Sequence, residues 1–465
     1  MIYSLKDRGE TPIYLYLYDR IKSDILNGVL QPGERLPSKR SFAQAQGVGI
    51  VTVENAYACL LAEGYIESVE KKGYFVSRIE RVPASIQRSN DYSLPSKPSY
   101  CVDLRGGQIG ADEFPVTVWR RLSRKVITEH GEDLFRPCAV TGSSELRRAI
   151  ADYLRKTKSI ETSPDCIVIC AGTEMLLYSV VRLLGGHNIY AVEEPGYLKI
   201  PAVYSAAGAR CVALPSDDSG VDIGALRSSG AQILHISPNH QYPTGRVTTA
   251  ARRSELLSWA SEKPDRYIVE DDYDSELRLD ARPLGSMFAE DKNGSVIYMN
   301  TFSKTISPSL RIGYLVLPPH LMDRYMKKSE HFSCTVSTAE QLTLAEFISG
   351  GFYDSHIGRM RKRYKLKRKE ILELIERGVE KDRAELIENS AGLHFILKLN
   401  TEIGENEIRR RSEEAGIGVS FLSDCCRYPA PERNDMMIVN YAGLDPAGLE
   451  TLIGFLNSLP PADKE

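Results

Sequence analysis

The chain has 465 residues, of which 42% are hydrophobic and 26% are charged, a composition of globular proteins that excludes collagen-like and wholly disordered chains. At about 100 to 200 residues per domain, this length predicts two to four domains. With 59 Lys and Arg against 62 Asp and Glu, the net charge is −3, so any contact with nucleic acid must come from a local patch.

Three further absences narrow the class of protein. No apolar run approaches the roughly 18 to 20 residues that span a bilayer, and the N-terminus lacks the pattern of a signal peptide. The nine cysteines show no spacing typical of zinc ligands. We therefore expect a cytoplasmic protein with reduced thiols, no metal site and no membrane partner.

The first 79 residues carry three helical patterns followed by a hairpin pattern. Apolar residues recur at helical spacing over 13–26, Ser38 suits the N-cap of a second helix, and a third pattern covers 51–63. Two strand-like segments then flank a tight turn within 65–76. This order predicts a winged helix-turn-helix domain over 1–79.

The remainder of the chain predicts a larger α/β domain after a linker. Residues 80–101, rich in Pro and Ser, predict the linker. Over 102–465, apolar runs alternate with helical patterns, which is typical of a mostly parallel sheet. We expect a large subdomain over about 120–345 and a smaller C-terminal α+β subdomain over about 346–465, which also takes the N-terminal part of this domain. The candidate buried strands are 166–170, 188–194, 232–237, 266–272, 295–301 and 311–317.

The sharpest chemical motif is Ser303-Lys304, which directly follows a candidate strand. A lysine at a strand end can form a Schiff base with a carbonyl compound. The hydroxyls of Thr301 and Ser303, together with Arg311, suit a phosphate group. The alternative is a lysine solvated in a loop, which is the usual situation for this residue type.

A second motif, EDDYDSE at 270–276, also follows a candidate strand. A carboxylate at a buried strand end needs a cation, and the protonated ring nitrogen of pyridoxal phosphate (PLP) would be one. Asp271 would hold that nitrogen and Tyr273 would reach the ring hydroxyl. On their own, such acidic residues more often form a solvated face or a metal site. Gly172-Thr173 begins a helix whose free amides suit a phosphate, and Tyr197 offers a ring for stacking.

These motifs carry a resemblance that extends over nearly the whole chain. The segments ERLPSKR, EEPGY, SPNHQYPTG, EDDYDSE and NTFSKTISPSLRIGYL resemble the MocR subfamily of GntR regulators. In that subfamily a winged helix precedes a fold-type I PLP-dependent domain of the aspartate aminotransferase superfamily. The resemblance implies PLP as cofactor, operator DNA and a small amine or amino-acid effector as partners, and a head-to-tail homodimer. It implies that Lys304 is the aldimine-forming catalytic lysine and that the cofactor is bound by Lys304, Asp271, Tyr273, Tyr197, Gly172, Thr173, Thr301, Ser303, Arg311 and Tyr242.

The chain departs from the family at the position that binds a substrate carboxylate. Ile438 stands where aminotransferases place a C-terminal arginine, and Lys199 stands where some regulators carry a ligand arginine. Lysine presents a point charge and not a bidentate fork. Lys199, Arg427 or Arg433 remain as alternatives for that contact.

Two further departures concern catalytic contacts. Pro137 replaces a tyrosine that in catalytic relatives reaches the phosphate of the neighbouring subunit, unless Arg136 takes this role. Tyr242 stands at the asparagine of the Asn-Pro-Thr-Gly turn. These changes favour a pocket that senses a ligand over an efficient transaminase.

The predicted DNA-binding domain is also altered. In the family's recognition helix an arginine would reach a guanine edge. Ile50 stands at this position in the present chain. Residues 1–80 carry ten basic and ten acidic residues, a modest electrostatic footprint for DNA binding. The residues predicted to contact DNA are Ser38, Lys39, Arg40, Thr52, Lys71, Lys72 and Gly73.

Another basic run has eight Lys or Arg among the eleven residues 359–369. A solvated face of a long helix is the first interpretation of such a run, and an auxiliary surface for DNA or a partner is the alternative.

Three functions remain open from the sequence. The first is a regulator that senses PLP, or an amine or amino acid through aldimine chemistry, and binds operator DNA. The alternative is a PLP-dependent class I/II aminotransferase with a vestigial DNA-binding domain. The third is a scaffold that has lost both activities. It is the least favoured, because the chain retains the complete set of Lys304, Asp271, Tyr273 and Arg311.

Overall fold

The computed structural model describes residues 1–79, 93, 99–106, 110, 113–279, 285–387, 392–428 and 435–462. The chain divides into two compact units, Met1–Lys97 and Pro98–Glu465. Most of the predicted linker lies outside the described residues. None of the helices in the described ranges is both long and apolar enough to cross a membrane.

The first unit contains three helices and one hairpin, as the sequence predicts. These elements are α1 (Ile13–Leu26), α2 (Lys39–Gln46), α3 (Ile50–Ala62) and the antiparallel strands β1 (Ile66–Val69) and β2 (Gly73–Val76). The side chain of Ser38 caps α2 by accepting a hydrogen bond from the Ser41 N–H at 3.2 Å.

Buried apolar side chains hold this unit together. Leu17 and Ile21 of α1 face Tyr57 and Leu60 of α3, and all four are fully buried. Such packing supplies most of the stability of short helices, which are marginal when isolated. The first unit therefore has a core of its own.

The second unit is α/β, in agreement with the predicted fold class. Its elements are β3 (Val102–Asp103), α4 (Val116–His130), α5 (Ser144–Lys158), β4 (Ile167–Cys170), α6 (Gly172–Leu184), β5 (Ile189–Glu194), α7 (Lys199–Ala206), β6 (Arg210–Asp217), β7 (Gly220–Val221), α8 (Ile223–Ser228), β8 (Ile233–Ile236), α9 (Ala250–Ser261), β9 (Tyr267–Asp271), α10 (Met287–Glu290), β10 (Val296–Thr301), β11 (Gly313–Val316), α11 (Pro319–Lys328), α12 (Thr338–Ser349), α13 (Phe352–Gly378), β12 (Ala384–Ile387), β13 (His394–Leu399), α14 (Glu405–Glu414), β14 (Ile417–Gly418), β15 (Ser420–Phe421), β16 (Met436–Asn440) and α15 (Pro446–Ser458).

An eight-stranded sheet forms the centre of this unit, in the order β4-β11-β10-β9-β8-β5-β6-β7. The run from β10 to β6 is parallel, while β11 is antiparallel to both β10 and β4. Central strands such as β8, β9 and β10 are buried along their whole length, because helices cover both faces of such a sheet. All six predicted strands are present.

β6 was not among the predicted strands. Its sequence, RCVALPSD, begins and ends with exposed polar residues and contains a proline, so it lacks the apolar run that marks the central strands.

The C-terminal part adds a second sheet, in the order β12-β13-β16-β15. Strand β3, near the start of this unit, pairs in parallel with β14. The side chains of Val102 and Leu104 belong to the same buried cluster as those of β13 and β16. The N-terminal part of this unit therefore packs with its C-terminal part.

Candidate functional site

A cavity of about 420 Å³ lies at the carboxyl ends of the parallel strands, where open α/β sheets commonly bind their ligands. Strands β5, β8, β9 and β10 end at its wall. Nine of the ten residues predicted to bind the cofactor line it, namely Thr173, Tyr197, Tyr242, Asp271, Tyr273, Thr301, Ser303, Lys304 and Arg311. The structure thus brings together residues that are up to 138 positions apart in the sequence.

Lys304 follows β10 and lines this cavity. Burial lowers the pKa of Lys304, and the negative charge of Asp274 opposes this effect only in part. A larger fraction of the amine is therefore neutral than for an exposed lysine, and only the neutral amine is nucleophilic.

Asp271 ends β9 at the floor of the cavity, and the two residues behind it were not predicted from the sequence. Burial raises the pKa of Asp271, although His235 favours the ionised form. His235 Nε2 lies 3.4 Å from Asp271 Oδ2, and His235 Nδ1 lies 2.7 Å from the Tyr204 hydroxyl. The only sequence signal for this pair is a polar residue, His235, at the end of the buried strand β8.

Tyr273 reaches the cavity from the segment after β9. Its hydroxyl lies 2.9 Å from His240 Nδ1, which in turn lies 2.8 Å from Asp274 Oδ2. Burial raises the pKa of Tyr273 well above its usual value, so the phenol keeps its proton at neutral pH. His240 and Asp274 were also missed, although both lie inside motifs that the sequence analysis singled out.

The opposite end of the cavity has the donors that an anion needs. The Thr301 and Ser303 hydroxyl oxygens lie 2.9 Å apart. Gly172, the tenth predicted residue, has a φ of +73°, and a Cβ at this position would lie 2.5 Å from Arg311 Nη2. Only glycine therefore lets the start of α6 approach the guanidinium group this closely.

Glu174 pairs with the two cations at this end of the cavity, the anion-binding end. It forms ion pairs with Arg311 and with Lys199, the latter at 2.8 Å between Lys199 Nζ and Glu174 Oε1. Burial opposes ionisation, but the hydrogen bonds from Lys199 and Arg311 lower the pKa of Glu174 to about 2. Both cations thus already have a carboxylate partner within the chain.

The position of the family's carboxylate-binding arginine is closed to a ligand. Ile438 lies in the middle of β16, is 2% exposed and pairs with Ile396 and Ser420. Arg427 lines the cavity, and its Nη1 donates to the Cys211 carbonyl at 3.0 Å. Arg433, the other alternative, lies outside the described residues.

The predicted DNA contacts lie on the surface of the first unit. Ser38, Arg40, Lys71 and Lys72 are exposed. Ile50 is 47% exposed at the start of α3, followed by the exposed Val51, so an apolar surface stands where the family has its arginine. Thr52 and Gly73 are half-buried.

Lys39 is engaged within the chain. Its Nζ lies 2.8 Å from Glu54 Oε1, an acidic group of α3. The hydrogen bond that Lys39 donates to this carboxylate raises the pKa of Lys39. A DNA phosphate would therefore have to compete with Glu54 for Lys39.

The basic run 359–369 lies on α13. Met360, Tyr364 and Arg368 are buried, and Lys367 Nζ donates to the Ala442 carbonyl at 2.7 Å. Part of this run therefore packs against the protein itself, as expected for a charged helix with one inward face.

Comparison with known proteins agrees with this arrangement. Residues 101–420 match the family model of aminotransferase class I and II, and residues 13–76 match that of the gntR family of bacterial regulatory proteins. The uncharacterised HTH-type transcriptional regulator YdeL of Bacillus subtilis is 33% identical over 441 residues, covering 94% of each chain. The probable rhizopine catabolism regulatory protein MocR of Rhizobium meliloti is 32% identical, covering 97% of this chain and 94% of that protein.

A solved structure matches the second unit. The kynurenine aminotransferase of Pyrococcus horikoshii superposes with a TM-score of 0.67 at 24% identity, covering 76% of this chain and 90% of that one. A domain of the gntR family and a domain of the aminotransferase class I and II family follow one another in this chain, and the match to MocR covers both. The chain therefore belongs to the MocR subfamily of GntR-type regulators.

Proposed function

We propose that this protein is a transcriptional regulator that binds operator DNA through its first unit and PLP through the cavity of its second unit. The observation that carries the proposal is the cavity around Lys304 and Asp271 in a chain that also has a gntR-type domain. The relatives named as regulators cover almost the whole chain, which supports the same conclusion.

The chemistry of the residues that line the cavity suits PLP, independently of the family to which the chain belongs. The buried Asp271 has no lysine or arginine within ion-pairing distance in the described part of the chain, and its ion-pair neighbour is His235 at 3.4 Å. His235 Nε2 itself makes no hydrogen bond there. At the far end, the glycine at 172 and the guanidinium of Arg311 form a cradle that a side chain would fill. A ring cation and a phosphate would satisfy these two ends.

When bound, PLP supplies an aldehyde that amines attack and a ring that withdraws electrons. Lys304 would provide the amine that holds the cofactor and would be released when a ligand amine takes its place. Asp271 would keep the ring nitrogen protonated, with His235 and Tyr204 fixing its orientation. Tyr273 would donate its hydrogen bond to the ring oxygen, and Tyr197 and Tyr242 would cover the ring.

The anion-binding end would hold the phosphate group. Thr173, Thr301, Ser303 and Arg311 supply hydroxyl, amide and guanidinium donors. Since Glu174 already pairs with Arg311, the phosphate would have to replace or share this carboxylate.

The first unit would contact DNA through the start of α2, the α3 surface and the turn between β1 and β2. The exposed Arg40, Lys71 and Lys72 supply positive charge for phosphates, and Thr52 would reach a base edge. A protein that acts on operator DNA works in the cytoplasm, which is the localisation we propose. A small amine or amino acid would act as effector by binding one conformation of the protein better than another.

We also propose a homodimer, arranged head to tail. Val116, Ile127 and Phe135 are 60%, 59% and 89% exposed in and after α4. A second copy of the chain that covered these side chains would remove their apolar surface from water, which is favourable. Light scattering of the purified protein tests this, and a monomer at micromolar concentration would contradict it.

A PLP-dependent aminotransferase is the second candidate, favoured by Ile50 in α3 and by the complete Lys304 and Asp271 pair. Steady-state assays with amino and keto acids separate the two functions. Repeated turnover without selective DNA binding would favour the enzyme.

Borohydride reduction followed by peptide mass spectrometry tests the cofactor assignment. We expect PLP to be attached at Lys304 in the wild type. It should be absent from Lys304→Ala and present in the control Lys292→Ala, which alters an exposed lysine. Labelling spread over several surface lysines would contradict the assignment.

A further inference from the structure

Two cysteines that the cofactor site does not use lie together near its anion-binding end. Cys138 lies in the loop before α5, and Cys334 lies in the loop between α11 and α12. Both are free and half-buried. Their side chains are close enough for the Cys138 thiol to hydrogen-bond to Cys334.

A buried glutamine joins these two loops. Gln341 of α12 is 0% exposed, and its Nε2 lies 3.4 Å from Cys334 Sγ and 3.8 Å from Cys138 Sγ. Its Oε1 accepts the Ser143 N–H at 2.8 Å, and its Nε2 donates to the Val336 carbonyl at 2.9 Å. Gln341 therefore keeps both thiols next to each other from a fixed helix.

The two thiols differ in acidity. The hydrogen bond from Cys138, together with the N–H of Val336 and the Gln341 amide, lowers the pKa of Cys334, although burial opposes this. The same contact and burial raise the pKa of Cys138. Cys334 is therefore the thiol that ionises first, and the thiolate is the reactive form.

We propose that Cys138 and Cys334 are a redox modification site, which closes to a disulfide when it meets a low-molecular-weight disulfide such as oxidised glutathione. The Cys334 thiolate attacks one sulfur of the oxidant, forms a mixed disulfide and expels one thiolate. Cys138 loses its proton to solvent and its sulfur attacks Cys334 Sγ, which expels the second thiolate. The two cysteines lose two electrons and two protons, and the oxidant is reduced to two thiols.

Closure would affect the cofactor site through the neighbouring residue. The Thr335 hydroxyl accepts a hydrogen bond from the Ala171 N–H at 2.9 Å. Ala171 directly precedes Gly172, whose close approach to Arg311 builds the anion-binding end. A disulfide requires an S–S distance of about 2.0 Å with a restricted dihedral angle, and Thr335 directly follows Cys334, so the proposal is that closing the bond moves Thr335 away from Ala171. This part of the inference rests on the proposed binding of PLP.

The experiment equilibrates the full-length protein in glutathione buffers from reducing to oxidising and maps disulfides by mass spectrometry of unreduced peptides. We expect a single dominant link between Cys138 and Cys334 in the wild type. The link should persist in the control Cys101→Ser, which alters an exposed cysteine, and should be absent from Cys138→Ser and Cys334→Ser. No link, or links distributed over other cysteines, would overturn the proposal whether or not PLP binds.

PLP titration of the reduced and oxidised forms tests the coupling. Loss of the hydrogen bond from the Ala171 N–H to the Thr335 hydroxyl predicts about fivefold weaker PLP binding in the oxidised wild type. Cys334→Ser, which lacks the attacking thiolate, should bind PLP equally in both buffers. A mapped disulfide with unchanged PLP affinity would refute the coupling, whereas failure of both forms to bind PLP would refute the proposed function.

Discussion

The substitution Gly172→Ala tests the anion-binding end of the cavity. Gly172 has a φ of +73°, a backbone conformation that costs an alanine roughly 1–2 kcal/mol. In addition, the new Cβ would lie 2.5 Å from Arg311 Nη2 and 2.6 Å from Arg311 Cζ. The guanidinium group must then move away from the start of α6.

The displaced Arg311 guanidinium group would lose its hydrogen bond to the cofactor phosphate. A hydrogen bond to a charged group contributes about 1.5–3 kcal/mol, which corresponds to roughly 10- to 150-fold in affinity. We therefore expect Gly172→Ala to bind PLP weaker by this factor in an absorbance or equilibrium-dialysis titration.

Gly208→Ala is the matched control. Gly208 has a φ of +87°, but no atom lies within 4 Å of a Cβ built there. It should lose a similar amount of stability in urea unfolding and keep its PLP affinity. Wild-type PLP affinity in Gly172→Ala would refute the assignment of Gly172 and Arg311 to the phosphate.

Three further predictions concern other parts of the protein. Glu54→Gln should release Lys39 from its 2.8 Å ion pair. In anisotropy titrations the DNA affinity should then be higher and should fall more steeply with salt concentration. Unchanged affinity and slope would contradict a role of Lys39 in DNA binding. Burial raises the pKa of Glu193 to about 8 from 4.5, so the wild type loses stability as pH rises through this range. In urea unfolding of the cofactor-free protein at pH 9, the free energy of unfolding of Glu193→Gln should therefore exceed that of the wild type by about 2 kcal/mol. This is less than the full pKa shift corresponds to, because the carboxyl lies at a cavity wall. At pH 4.5 the two proteins should be equally stable, and equal unfolding curves at both pH values would contradict the prediction. If Arg427 binds an effector carboxylate, the PLP-loaded wild type should respond more strongly to L-alanine than to ethylamine in its absorbance spectrum. Arg427→Ala should lose this preference, whereas the control Arg246→Ala should keep it. A retained preference in Arg427→Ala would exclude this role.

The fold could be predicted largely from local patterns. Central strands such as β9 and β10 begin with apolar runs, 267–269 and 296–299, because both of their faces are buried, and such runs are visible in the sequence. β6 escaped prediction because an outer strand exposes part of its length. The start of α2 was predictable because Ser38 is a cap, which is a local interaction.

The candidate site was predictable where a residue follows a strand directly. Lys304 and Asp271 stand out because the carboxyl ends of parallel strands meet at one edge. His235, Tyr204 and His240 were missed because their role depends on contacts between separate segments, which no spacing in the sequence reveals. The same holds for Glu174, whose pairing with Lys199 and Arg311 is a tertiary contact.

We expect PLP bound at Lys304 to change the affinity of the protein for DNA. Fluorescence anisotropy of a duplex from the region upstream of the protein's own gene, with and without PLP, measures this effect. We expect selective binding over a scrambled duplex, with an affinity that PLP changes in the wild type and in Lys292→Ala but not in Lys304→Ala. Equal, weak binding to both duplexes that PLP leaves unchanged would contradict the account and favour the aminotransferase.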